Sequence, residues 1–211
     1  MSLIDLTCAF PSASREKVRL TEIPLKSAKT AYTGMVYDLE FNSMDGSYLD
    51  LPGHIRETDD GQRSDNLDPA LFYRVPCSVI RLDRTSGSGA VSGAELEQAF
   101  GGRVTTPALM INALGKLDPR DIDIRSVWLD FSALDWMISC GIRLLVSDIF
   151  ESQALEGVFL KLFQAGISTV CEPRGMSRIR SKQVELTVMF PKYPGLTQFP
   201  CRILADDGMQ D

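Results

Sequence analysis

The chain of 211 residues carries a formal net charge of −6 and is 44% hydrophobic. That length and apolar content suit a single globular domain with a substantial core. The acidic balance, with no basic run beyond Arg174 to Lys182, argues against a phosphate-neutralising nucleic-acid surface and leaves a small molecule as the expected partner.

In chain order, Ile4-Asp5-Leu6 reads as an edge strand and Pro11-Ser-Ala-Ser-Arg15 as a polar turn. The first residues lack the basic start and long apolar centre of a secretion signal, and no apolar run approaches the roughly 20 residues of a membrane span. A cytoplasmic protein with no membrane contact is therefore expected. The five cysteines, Cys8, Cys77, Cys140, Cys171 and Cys201, are scattered and never form a C-x-x-C pair, so they read as reduced thiols. Thr30 to Leu39 is β-rich and leads into Met44–His54. Arg56 to Pro69 is charged and poor in apolar residues, an exposed loop that could fold over a site. Pro76 to Leu82 is a buried strand.

Gly87-Ser-Gly89-Ala-Val-Ser-Gly93 then precedes the helical pattern Ala94 to Phe100. Its spacing is not the G-x-G-x-x-G of a dinucleotide site, so it is assigned to a loop with Ser92 capping the helix and Glu95 in the capping-box position. Ala108 to Leu114 is another buried strand. Ser132 to Gly141 has helical spacing, with Ser132 as N-cap, Asp135 at the capping-box position and Gly141 as stop. A strand over Ile142 to Asp148 follows at once. The same grammar repeats as a helix over Ala154 to Ala165, a stop at Gly166 and a strand over Ile167 to Cys171 that ends before Glu172. Val184 to Phe190 and Arg202 to Ala205 complete the strands, separated by a turn at Pro191 to Gly195. Helix-glycine-strand units among many strands predict a single mixed α/β domain spanning residues 1–211.

The stretch that holds the most chemistry is Met44-Asp45-Gly46-Ser47-Tyr48-Leu49-Asp50-Leu51-Pro52-Gly53-His54, which contains the only histidine of the chain. Pro52 stiffens the backbone between Asp50 and His54, as an acid/base pair would need. A histidine beside an aspartate is also a common structural arrangement. In the frame Met44-x-Gly46-Ser47-Tyr48-x-Asp50-x-Pro52-x-His54 the stretch resembles the H-x-G-T-H-x-D-x-P-x-H motif of the cyclase family of metal-dependent hydrolases. That family includes bacterial kynurenine formamidases and some polyketide cyclases. Ile4 to Leu6, Trp136 to Asp148, and Val158 to Ile167 with Glu172 are similar to other segments of it.

The resemblance implies an α/β domain with a central, barrel-like sheet flanked by helices, and a homodimer. It also implies a metal site at Met44, Tyr48, Asp50, Phe159 and Glu172. Here a thioether, a phenol and a phenyl ring stand where the family has imidazoles, and these are poor ligands or none for zinc or manganese. The expectation is therefore a chain without a bound metal or other cofactor. Its catalytic residues would be His54, Asp50, Tyr48 and Glu172, and Met44, Phe159 and Ser47 would contact substrate. The function expected is a metal-independent cyclase or lyase acting on a small carbonyl compound, polyketide-like or aromatic, by proton transfer. Two alternatives stay open: a metal-dependent amide or lactone hydrolase of the kynurenine formamidase type, and a non-catalytic small-molecule binder. Arg174 could reach Glu172 or an anionic substrate. Cys171, by strand alternation, is expected on the face opposite Glu172.

Overall fold

A computed structural model describes residues 2–11 and 17–208, so the turn expected over Pro11 to Arg15 lies largely outside the described residues. The strands are β1 (Leu3–Asp5), β2 (Val18–Lys26), β3 (Ala31–Leu39), β4 (Tyr48–Asp50), β5 (Val75–Arg81), β6 (Gly89–Val91), β7 (Ala108–Asn112), β8 (Val127–Leu129), β9 (Leu144–Ser147), β10 (Ser168–Cys171), β11 (Gln183–Met189), β12 (Gln198–Pro200) and β13 (Arg202–Asp206). The helices are α1 (Gly93–Phe100), α2 (Phe131–Cys140) and α3 (Val158–Gln164). Nine of the strands form one sheet in the order β1-β13-β11-β5-β7-β9-β10-β4-β12. The central run β5-β7-β9-β10 is parallel and its flanks are antiparallel.

One covalent constraint curls this sheet. β12 is an edge strand and β13 lies next to the opposite edge, yet only Cys201 separates them in sequence. A single residue advances the chain by less than about 4 Å, so the two ends of the sheet must approach each other. The result is a curled, barrel-like sheet with two distinct faces. Alternation along the strands sorts the apolar side chains: Ala108, Met110, Leu144 and Val146 join an inner core with Leu49, Leu186 and Phe199. Leu109, Ile111 and Leu145 face the other way and pack against Leu96 of α1, Leu134 and Met137 of α2, and Leu162 and Phe163 of α3.

Several boundaries differ from expectation for local reasons. α2 is capped by Asp130, whose carboxylate accepts from the Ala133 amide at 3.0 Å. Ser132, expected as the cap, lies inside the helix, where its hydroxyl accepts from the Gly93 amide. Asp135 pairs with Lys161 at 2.6 Å, so it serves no capping box. Ser92 does cap α1, but the Glu95 carboxylate is engaged by Arg84. α3 begins only at Val158, because Leu155 and Gly157 adopt left-handed backbone conformations that no helix can contain.

The hairpin β2-β3 was half legible: β3 was expected and β2 was not. The two strands pair with each other and with no third strand, and Leu20, Leu25, Tyr32, Met35, Tyr37 and Leu39 are all exposed. A two-stranded ribbon of this kind is marginal in water by itself. No helix among the described residues is long and apolar enough to cross a membrane.

The Asp130 cap gives a direct check of the helical layer. Asp130→Ala should cost about 1 kcal/mol in urea unfolding, with the slope unchanged, whereas an unaltered midpoint would show that the cap contributes nothing.

Candidate functional site

Strand β4 inserts the central stretch between β10 and β12, with Tyr48 opposite Cys171 and Pro200, and Asp50 opposite Thr169 and Gln198. Leu49 fills the inner core, so Tyr48 and Asp50 turn together toward the other face. The glycines of the motif have steric reasons. Gly46 has φ +72°, and a Cβ there would stand 2.8 Å from the Cys8 carbonyl oxygen. A Cβ on Gly53 would meet the Asp59 carboxylate at 2.8 Å and the Thr197 methyl at 2.9 Å. A side chain would be crowded at Gly46 by the Cys8 backbone and at Gly53 by neighbouring side chains.

Around Tyr48 opens a cavity of about 330 Å³, bordered by Met44, Phe159, Cys171, Glu172 and Arg174 as well as by Tyr48 itself. Phe159 stacks on Phe150 with ring centroids 4.9 Å apart, giving one wall an aromatic surface. Met44 is exposed at the rim. Ser47 does not border this space. Its buried hydroxyl accepts from the Cys8 amide and donates to the Glu172 carbonyl, both at 2.7 Å, and so ties the motif to the segment after β1 and to the end of β10. The loop from Arg56 to Pro69 does not border it either.

Asp50 stands behind Cys171. Its Oδ2 is 3.7 Å from the Cys171 sulfur, and its Oδ1 is buried without a hydrogen-bond partner. Burial raises the Asp50 carboxyl above its ordinary range, opposed by Gln198, His54 and Cys171, and the net direction is upward. The Tyr48 phenol is likewise held above its usual range by burial, then by Cys171 and Asp50. Burial raises the Cys171 thiol too, with Asp50 adding to the effect. The phenol and thiol are therefore neutral near pH 7, and the Asp50 carboxyl is biased toward its protonated form. His54 ends a short 3-10 turn, Pro52–His54, and does not border the cavity. Its Nε2 lies 3.3 Å from the Gln198 amide nitrogen, which donates to it, and Gln198 in turn accepts from the Ser43 hydroxyl at 2.6 Å. Since Gln198 is also the cross-strand partner of Asp50, it links the imidazole to the carboxyl on the far side of the cavity wall.

The sequence expectation for Cys171 fails at one dihedral angle. Glu172 has φ +58°, a left-handed conformation that interrupts alternation, so Cys171 and Glu172 border the same space. Glu172 accepts from Arg174 at 2.7 Å, the contact foreseen from sequence, and Asp118 lies 3.7 Å from the same guanidinium. Three further residues were not anticipated. Asp148 and Glu151 also border the cavity, as does Arg125. They come from loops that follow β9 and precede β8, and no motif marks them.

The five positions that the resemblance implies as metal ligands do not fit a metal. Met44, Tyr48 and Phe159 offer a thioether, a neutral phenol and a ring with no donor, while Glu172 is taken by Arg174. Among the described residues no three His, Cys, Asp or Glu side chains are grouped to hold an ion.

Comparison with solved structures supplies the fold relationship. A potential metal-dependent hydrolase with cyclase activity superposes with a TM-score of 0.68 at 14% identity, covering 99% of each chain. Isatin hydrolase A from Labrenzia aggregata gives 0.69 at 15% identity over 97% of this chain and 93% of that one, and isatin hydrolase A from Ralstonia solanacearum gives 0.69 at 15% identity over 97% and 91%. The chain has the cyclase fold. No protein-family model and no curated protein matches the sequence.

Asp148 makes the electrostatics of the site testable. Its carboxylate accepts from the amides of Ala113 and Leu114 at 2.9 and 3.1 Å, yet burial pushes its pKa up to about 6 from 3.8. A folded-state value above the unfolded one means that the native state binds the proton more tightly. The resulting penalty is absent below 3.8 and complete above about 6. Relative to Asp148→Asn, the wild type should lose up to about 3 kcal/mol between about pH 4 and pH 7. Parallel stability profiles of the two proteins over that window would contradict the assignment.

Proposed function

We propose that the chain is a metal-independent cyclase or lyase acting on a small, carbonyl-containing aromatic or polyketide-like metabolite by proton transfer. The observation that carries this proposal is the side-chain content of the motif positions: Tyr48 puts a phenol held neutral against the cavity, where the motif would supply an imidazole. A neutral O–H donor polarises a substrate carbonyl by hydrogen bonding as negative charge develops on its oxygen. Glu172, on the same wall, takes the proton from the adjacent carbon, and Arg174 beside it balances the charge. Burial keeps the phenol and thiol protonated, and whenever Asp50 ionises its charge acts in the same direction. His54, joined to Asp50 through Gln198, holds that carboxyl in place and is the one imidazole available for exchange of its proton. Ring closure or dehydration requires such proton transfers and a shaped wall, which the stacked Phe150 and Phe159 provide.

The fold neighbours favour a second possibility, since three of the solved relatives are isatin hydrolases. A panel of small aromatic ketones, β-diketones, amides and lactams separates the two. Turnover should be unaffected by EDTA, and Tyr48→Phe and Asp50→Asn should each lower kcat by about 10²-fold or more. Loss of turnover on chelation, restored by zinc or manganese, would replace this proposal with the hydrolase. A ligand that binds tightly and is returned unchanged, with no effect of Tyr48→Phe or His54→Ala, would replace it with a binding protein.

The homodimer belongs to the same proposal. The apolar ribbon β2-β3, which none of the described residues of its own chain covers, supports it. Leu20, Met35 and Tyr37 share one face of the ribbon by register, and serine at all three should shift sedimentation from dimer to monomer. A wild-type monomer at tens of micromolar would remove this part of the proposal.

A further inference from the structure

A second cavity, of about 440 Å³, opens at the other end of the parallel strands. It lies where β5, β7, β9 and β10 begin, whereas the cavity around Tyr48 lies where β9 and β10 end. The length of β9, from Leu144 to Ser147, separates the two by about 10 Å. The floor and the rim of the second cavity differ in chemistry. Phe72 and Leu144 are buried and give it an apolar floor, while Leu71, Tyr73, Arg74 and Arg143 stand exposed around the mouth. Among the described residues two arginines and no Asp or Glu border it, in a chain whose net charge is −6. Arg74 is committed, since its Nε donates to the Glu185 carboxylate at 2.9 Å. Arg143 forms no ion pair among the described residues. The fold uses only the backbone of Arg143: its amide donates to the Pro107 carbonyl at 2.8 Å, and its carbonyl accepts from the Ser168 amide at 2.9 Å.

We propose that this cavity binds a small amphiphilic monocarboxylate, whose anionic group meets the Arg143 guanidinium while its apolar body covers Phe72 and Leu144. The anion follows from the uncommitted arginine at the rim, because a guanidinium presents two N–H groups in the spacing of a carboxylate's two oxygens. One uncommitted cation matches one negative charge, and a cationic ligand would be repelled by both arginines. The apolar body follows from the floor, where displacing water from buried carbon is favourable and no charged side chain intrudes. The site is separate from the one around Tyr48, and its ligand is not the substrate. The proposal therefore stands whether or not that cavity is catalytic.

Calorimetric titration of the full chain with octanoate, 1-octanol, octylammonium and acetate tests both halves of it. Octanoate should bind about fivefold tighter than 1-octanol, the size expected for a well-formed ion pair at a partly exposed rim. Octylammonium should bind more weakly than either, although unspecific attraction to an acidic protein would favour it. Acetate, which lacks the apolar body, should bind at least about tenfold more weakly than octanoate. Arg143→Gln should bring octanoate down to the affinity of 1-octanol and leave 1-octanol unchanged. Arg125→Gln, which removes a cation from the cavity around Tyr48, should alter neither. No octanoate binding at millimolar concentration, equal affinity for octanoate and 1-octanol, a preference for octylammonium, acetate binding as tightly as octanoate, an octanoate preference that survives in Arg143→Gln, or one that is lost in Arg125→Gln would each overturn the proposal.

Discussion

The interaction on which the site depends is the contact of Asp50 with Cys171 across the β4–β10 pair. A carboxylate in this place is buried, has an unpartnered oxygen, and forms no ion pair with lysine or arginine among the described residues. An ionised carboxylate cannot be held there cheaply, so burial drives the group toward its protonated form. The neighbours respond in the same direction: Tyr48 and Cys171 are held as phenol and thiol. Beside the charged residues of the cavity, the phenol and thiol thus offer neutral hydrogen-bonding groups. The proposed chemistry draws on that neutrality.

The fold makes the contact possible. Curling of the nine-stranded sheet, enforced by the one-residue step from β12 to β13, brings Gln198 and Asp50 side by side and closes the inner core behind Leu49. The Ser47 hydroxyl then locks the start of β4 to the Glu172 carbonyl, at the point where the left-handed residue redirects the chain. Packing, strand register and the polarity of the cavity are thus one arrangement. Substitutions would disturb the site by crowding, at Gly46 against the Cys8 backbone and at Gly53 against the Asp59, Thr197 and Arg63 side chains, although neither residue carries a functional group.

Much of the fold was legible because buried strands announce themselves as short apolar runs between glycines. β5, β7, β9, β10, β11 and β13 fell within a few residues of their expected places, as did α1 and α2. β4 and β12 were hidden because three-residue strands carry no period, and β2 because a ribbon that buries neither face need not alternate apolar with polar. The resemblance set Met44 and Tyr48 beside Phe159 and Glu172, and all four border the cavity, while Asp50 stands behind Cys171. The motif could not place His54 behind the wall, since the 3-10 turn at Pro52 sets that direction. Cys171 was assigned to the wrong face because nothing in the sequence marks the positive φ of Glu172. Asp148, Glu151 and Arg125 reach the cavity from distant loops, and long-range convergence of that kind leaves no local pattern.

The most direct test of the account is calorimetric titration of zinc and of manganese into the purified wild type and Asp50→Asn. The account predicts no stoichiometric binding to either protein at micromolar metal, because two carboxyl groups, one pushed toward its protonated form by burial and one paired with arginine, make no site. Tight one-to-one binding to the wild type that disappears in Asp50→Asn would contradict it.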